Sequence, residues 1–230
     1  MTQALYLSGK TCAEVNVIDC KLTQDGLFAV QLAATPFHPQ GGGQPSDIGK
    51  INAVTVEHVA MQDQEIIHYC DQEIPLGKAY AQVNLDKRQY FSRLHSAGHL
   101  IGHVMQAFGW EPIKAQHWPE DSKVQFIKSE AAQDIDNASL QAICNQYISD
   151  NLQKFITQNA NGYREINFGH LPAFSCGGTH VESLAEIIEI SIAEYKLKKG
   201  KLTIHSLYTT NFIGSLSYQA FSFGKLLALS

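Results

Sequence analysis

The stretch Arg93-Leu-His-Ser-Ala-Gly-His-Leu100, RLHSAGHL, governs how the rest of the chain is read. His95 and His99 stand four residues apart, and apolar residues recur around them at 90, 91, 94, 97, 101, 104, 105 and 108. That spacing predicts an amphipathic helix over 88–108, with Gly109 as its C-terminal cap. On a helix, positions i and i+4 share a face, so two imidazoles placed this way reach a single metal ion. His103 lies another turn along. At about 1.5 Å of rise per residue it is roughly 12 Å from His95, too far for one ion to take both. Histidine pairs also occur on helices that bind nothing, so this pair needs partners elsewhere.

Ser175-Cys-Gly-Gly-Thr-His-Val181, SCGGTHV, supplies them. Cys176 and His180 are four apart, with two glycines between that let a tight loop turn both side chains to one point. Alone, CGGTH also reads as a glycine turn around a buried thiol. Together with His95 and His99 it offers three imidazoles and one thiolate, an N₃S set of the kind zinc accepts.

Outward from these motifs the texture changes near residue 88. Before it, strand-like runs at 14–20, 27–34, 50–59, 65–69 and 79–85 predict a small barrel or sandwich over 1–88. Within it, TPFHPQGGGQPSDIG at 35–49 is a loop by composition. Gly41, Gly42 and Gly43 permit close approach of another chain or a ligand, and the flanking prolines argue against a slack linker. No Lys-Ser/Thr pair follows, so it is not a P-loop. After the first helix come a loop at 116–122, a strand at 123–127 and a second amphipathic helix over 137–160. That helix carries Leu140, Ile143, Cys144, Tyr147, Ile148, Leu152 and Phe155 on one stripe. Strands follow at 163–168, 186–193 and 201–208. Helices on one face of a largely antiparallel sheet make an α+β domain over 89–230.

With 44% hydrophobic and 17% charged residues among 230, the composition is that of a globular protein. No apolar run approaches the roughly 20 residues of a membrane helix, and the N-terminus has no secretory pattern; the expectation is a soluble, cytoplasmic protein. Five cysteines, at 12, 20, 70, 144 and 176, are odd in number and contain no CxxC, which excludes a disulfide framework. The formal net charge of -5 excludes a wholly electrostatic nucleic-acid binder. RNA contact then needs a local patch, and Lys196, Lys198, Lys199 and Lys201 in KLKKGKL form one. The same run also reads as a solvated turn between two strands.

HSAGH at 95–99 with CGGTH at 176–180 resembles the HxxxH and CxxxH signature of alanyl-tRNA synthetase editing domains and of their free-standing AlaX relatives. The segments 35–49, 117–126 and 186–208 resemble the family's glycine-rich loop, the loop and strand after its first helix, and its strand-turn-strand after CGGTH. The resemblance thus covers nearly the whole chain. It implies a small N-terminal β-barrel followed by a two-layer α+β editing domain. The implied reaction is zinc-dependent hydrolysis, without ATP, of mischarged tRNA, chiefly Ser-tRNAAla and sometimes Gly-tRNAAla. It departs at Ser96, where many relatives have Thr, and at His103, where an acid or amide is common. The resemblance implies the intermediate-length form, without a long C-terminal extension. It implies His95, His99, Cys176 and His180 as ligands and leaves the catalytic side chain unassigned. Pocket residues would be Gly41, Gly42, Gly43, Gln44, Gln116 and Thr179, with the four lysines meeting tRNA. Competing readings are editing of another mischarged tRNA such as Ser-tRNAThr, a non-catalytic zinc-stabilised tRNA- or protein-binding module, and a hydrolase of small esters.

Overall fold

The structure is a computed structural model that describes residues 1–208; residues 209–230, the last part of the predicted second domain, lie outside the described residues. It is mixed, with largely antiparallel sheets and two α-helices among the described residues. The N-terminal part runs β1 (Gln3–Ala4), β2 (Cys12–Leu22), β3 (Phe28–Leu32), β4 (Ala34–Thr35), β5 (Gly49–Ile51), β6 (Val54–Gln62), β7 (Glu65–Cys70) and β8 (Gly77–Val83). Six of these pair in the ring β2-β3-β7-β6-β5-β8, which closes because β2 bonds both β3 and β8. Inward residues such as Val17, Val30, Leu32, Ile51, Val56 and Ala81 fill it. The single strand expected at 50–59 is two, because Asn52 adopts φ 54 and turns the chain between β5 and β6.

α1 (Leu85–Ala107) begins three residues before the predicted start, at a cap the periodicity does not show: the Asn84 side chain accepts from the Lys87 N–H. It ends as expected, with Gly109 at φ 75 just beyond the last turn. Its apolar stripe, Ala97, Leu100, Ile101, Val104 and Met105, is buried against β9 (Trp110–Trp118) and β10 (Asp121–Lys128). Each such side chain contributes about 1.5–3 kcal/mol. The predicted loop at 116–122 is thus the end of β9, a tight turn and the start of β10.

α2 (Asn137–Ser149) also differs from expectation. Asn151 at φ 54 stops it, and the chain continues as β11 (Lys154–Gln158), so Phe155 is 52% exposed instead of lying on the helical stripe. Then follow β12 (Arg164–Phe168), β13 (Phe174–Ser175), β14 (Ile190–Lys198) and β15 (Lys201–Tyr208). The main sheet has the order β14-β15-β10-β9, and β11-β12-β13 forms a smaller one. A second core, from Ala97 to Ile204, lies between this sheet and the two helices.

Two contacts fasten the barrel's glycine-rich loop to this second core. Gly43 has φ +81, and a Cβ there would stand 2.4 Å from the Ala115 carbonyl oxygen, so only glycine lets the loop meet β9. The Gly43 carbonyl then accepts from the His117 N–H at 2.8 Å. At the first turn of α1, buried Arg88 pairs through Nε with both oxygens of buried Asp47, at 2.9 and 3.1 Å, and through Nη2 with Oδ2. Nη2 also donates to the Pro36 carbonyl at 2.7 Å, while Asp47 accepts from the His38 N–H at 2.6 Å.

Candidate metal centre

α1 presents His95 and His99 on one face, their ring centroids 5.0 Å apart. The loop after β13 brings Cys176 and His180 over them; the His180 ring lies 4.4 Å from His95 and 4.8 Å from His99. One donor atom from each of the four side chains lies within 4.8 Å of all the others. His103 stands outside this group and packs on Phe174 at 4.4 Å.

Several bonds shape the cysteine loop. Arg164 of β12 donates through Nη1 to the carbonyls of Cys176 (2.6 Å) and Gly178 (3.3 Å). The fully buried Ser96 hydroxyl, one residue past His95, accepts from the Val181 N–H at 3.1 Å. Gly178 sits so close to the ring of His95 that a Cβ would be 2.1 Å from its Cε1. This is a physical reason for the second glycine of CGGTH.

The donors suit a cation that takes imidazole and thiolate. Both ring nitrogens of His180 are buried without a hydrogen-bond partner, which is costly unless something else occupies their lone pair. Burial, then neighbouring imidazoles, holds His95 and His180 well below the usual histidine range, and His99 falls to about 3. The rings are therefore neutral, as ligation requires. Burial raises the Cys176 thiol; the Gly178 N–H, 3.4 Å from Sγ, and the Arg164 guanidinium act in the opposite direction, toward the thiolate. The residues present therefore fit a bound zinc ion.

Beside the cluster is a cavity of about 450 Å³, walled by Gly41 and Gly42 of the barrel loop, His95 and His99, and Phe174 and Cys176. The other predicted pocket residues lie elsewhere. Gln44 is fully buried and its amide is taken up by His95 and Thr179. Thr179 bonds Gln44 and Ser92 and borders a smaller cavity of about 170 Å³. Gln116 is tied to Asp121 at 2.8 Å. The lysines occupy the exposed β14–β15 hairpin, where Lys198 and Lys201 are paired across the strands and Lys199 and Gly200 make the left-handed turn. None of the four lines the cavity.

Two cavity residues escape sequence reasoning. His117 stacks on His95 at 4.4 Å and 25°, in the space Gly98 leaves: a Cβ on Gly98 would be 2.2 Å from the His117 ring. His38 crosses the Tyr6 ring edge-on at 5.3 Å. Neither has a spacing signal: His117 meets His95 through the packing of β9 on α1, and His38 reaches the cavity only through the docking of the barrel loop.

No family model matches the chain. The curated alanine–tRNA ligase of Haloquadratum walsbyi is 24% identical over 219 residues, covering 83% of this chain and 24% of the ligase. The chain spans about a quarter of the length of the first ligases it matches. Proteins named alanyl-tRNA editing protein AlaX-M match over most of their length. That of Methanosarcina acetivorans is 27% identical, with 91% of this chain and 99% of that protein covered. That of Pyrococcus horikoshii is 28% identical, with 76% and 82% covered. The resemblance to AlaX-type editing proteins is therefore borne out over most of the chain. No helix among the described residues is long and apolar enough to cross a membrane.

Proposed function

We propose that this chain is a trans-editing hydrolase that deacylates mischarged tRNA, most readily Ser-tRNAAla, with zinc held by His95, His99, Cys176 and His180. The observation that carries the reading is the convergence of these four side chains from two distant segments, within 4.8 Å, with His95, His99 and Cys176 at the wall of one cavity. The near full-length similarity to proteins named for alanyl-tRNA editing supports the substrate class. Residues 1–88 are the barrel domain and 89–230 the editing domain in this reading.

Editing answers a physical limit. A pocket built for alanine rejects serine poorly, because an added hydroxyl changes binding by only about 10²-fold. A bound zinc ion supplies Lewis acidity toward an ester carbonyl or a water molecule. The chain itself supplies the rest. Gly41 and Gly42 let the barrel loop form one wall without side-chain bulk, and Phe174 gives the cavity an apolar side. Neutral His117 and His38 present ring atoms to the same space. The hairpin lysines carry the backbone contact with tRNA, away from the reacting ester. The reading assigns no side chain as general base.

The experiment is a comparison of hydrolysis rates for Ser-tRNAAla, Gly-tRNAAla, Ala-tRNAAla, Ser-tRNAThr and a short seryl ester. Preference for Ser-tRNAAla over Ala-tRNAAla and over the ester supports the reading. Equal rates on the ester make the chain a small-ester hydrolase. Turnover of Ser-tRNAThr alone changes the tRNA. Binding of a nonhydrolysable aminoacyl-tRNA mimic with no turnover of any substrate makes it a binding module.

A further inference from the structure

The sequence places Gln44 at the end of the glycine run, yet in the structure it lines neither of the two cavities described above. Its amide sits between the two motifs that furnish the ligands. The side-chain oxygen accepts from the Thr179 backbone N–H at 3.0 Å. A backbone N–H only donates, so this contact fixes which end of the amide is oxygen. The same oxygen lies 2.7 Å from Nδ1 of His95, and an oxygen without hydrogen only accepts. Nδ1 of His95 must therefore carry the proton. The amide nitrogen donates to the Thr179 hydroxyl at 2.8 Å, and that hydroxyl bonds Ser92 at 2.8 Å, so both ends of Gln44 are held.

With the proton on Nδ1, the lone pair of His95 is on Nε2, and Nε2 is the atom that faces Cys176 Sγ at 3.4 Å. We infer that Gln44 is a positioning residue for the metal centre: from the barrel loop it sets the tautomer and the ring orientation of His95, and through Thr179 the path of the CGGTH loop. The inference rests on the metal-centre reading above. It follows that a residue of the barrel loop orients a ligand set carried wholly by the other core. Ligating histidines are generally oriented by such an acceptor on the second nitrogen, and losing it costs about 10- to 100-fold in metal affinity. The closeness of Gly178, where a Cβ would be 2.8 Å from the Gln44 oxygen, shows how little slack the arrangement has.

The test uses the full chain as wild type, Gln44→Leu and Gln44→Glu. Leucine keeps the volume but leaves the His95 and Thr179 donors unpaired; glutamate keeps the accepting oxygen. Zinc affinity is measured by chelator competition, and the His95 tautomer by nitrogen-15 NMR of the metal-free protein. The expected result is a proton on Nδ1 in the wild type, a 10- to 100-fold affinity loss in Gln44→Leu, and recovery to within a few fold in Gln44→Glu. A wild-type proton on Nε2, or equal zinc affinity in folded Gln44→Leu, overturns the inference. If Gln44→Leu does not fold, the wild-type tautomer and Gln44→Glu still decide it. A wild type that binds no zinc, with Nδ1 protonated, overturns the metal reading instead.

Discussion

At the scale of single residues, the centre depends on places where a methyl group has no room. Gly178→Ala puts a carbon 2.1 Å from the His95 ring and 2.8 Å from the Gln44 oxygen, both of which are buried and bonded. The expected outcome is a folded protein whose zinc affinity falls at least tenfold, about 1.4 kcal/mol, as read by chelator competition. Unchanged affinity would mean that the loop shifts without disturbing the ligands. The four clustered donors are legible in the sequence because a helix fixes which side chains share a face, and because a Cys-His pair around two glycines supplies the complementary donor types. Gln44 is legible only as an oddity. Its amide orientation depends on a backbone N–H 135 positions away, which no local pattern encodes.

At the scale of elements, the Arg88–Asp47 pair joins the start of α1 to the glycine-rich loop. Both groups are buried, so Arg88→Met strands the Asp47 carboxylate and the His38 and Pro36 contacts around it. Breaking one partner of a buried pair costs about 3–5 kcal/mol, and urea denaturation should show a loss of that size. A loss below about 1 kcal/mol would show that water reaches the carboxylate. Most elements follow from periodicity, and two of the departures share one cause. At Asn52 and Asn151 a residue with a short polar side chain takes a left-handed conformation and turns the chain where the apolar pattern runs on. Continuity of apolar residues across 137–160 therefore suggests one long helix, whereas the chain forms a helix and then a strand.

At the scale of the whole molecule, buried neutral histidines make stability depend on pH. In the barrel core His68 donates from Nδ1 to the Val30 carbonyl at 3.1 Å and accepts from the Thr35 hydroxyl at 2.7 Å. Burial lowers its pKa from 6.5 to about 4. Between these values the unfolded chain binds the proton and the folded one does not, so stability is full above about 6.5 and is lost as pH falls toward 4. His68 alone accounts for about 3 kcal/mol of that loss. Denaturant midpoints at pH 7 and pH 4.5 should differ accordingly, and His68→Gln should reduce the difference by about the His68 share; a flat wild-type profile would refute it. Composition and charge indicate a globular chain, but not that a barrel loop would supply an acceptor to a ligand of the other core. That depends on how Gly43 docks against β9. In the proposed reading one metal ion, held by His95, His99, Cys176 and His180, makes this chain an editing deacylase. Its most direct test is the rate of Ser-tRNAAla deacylation by the purified protein as isolated, after zinc removal, and after zinc is restored. Activity should be lost on removal, return in proportion to about one zinc per chain, and not return in Cys176→Ala. Full activity in the metal-free protein would contradict it.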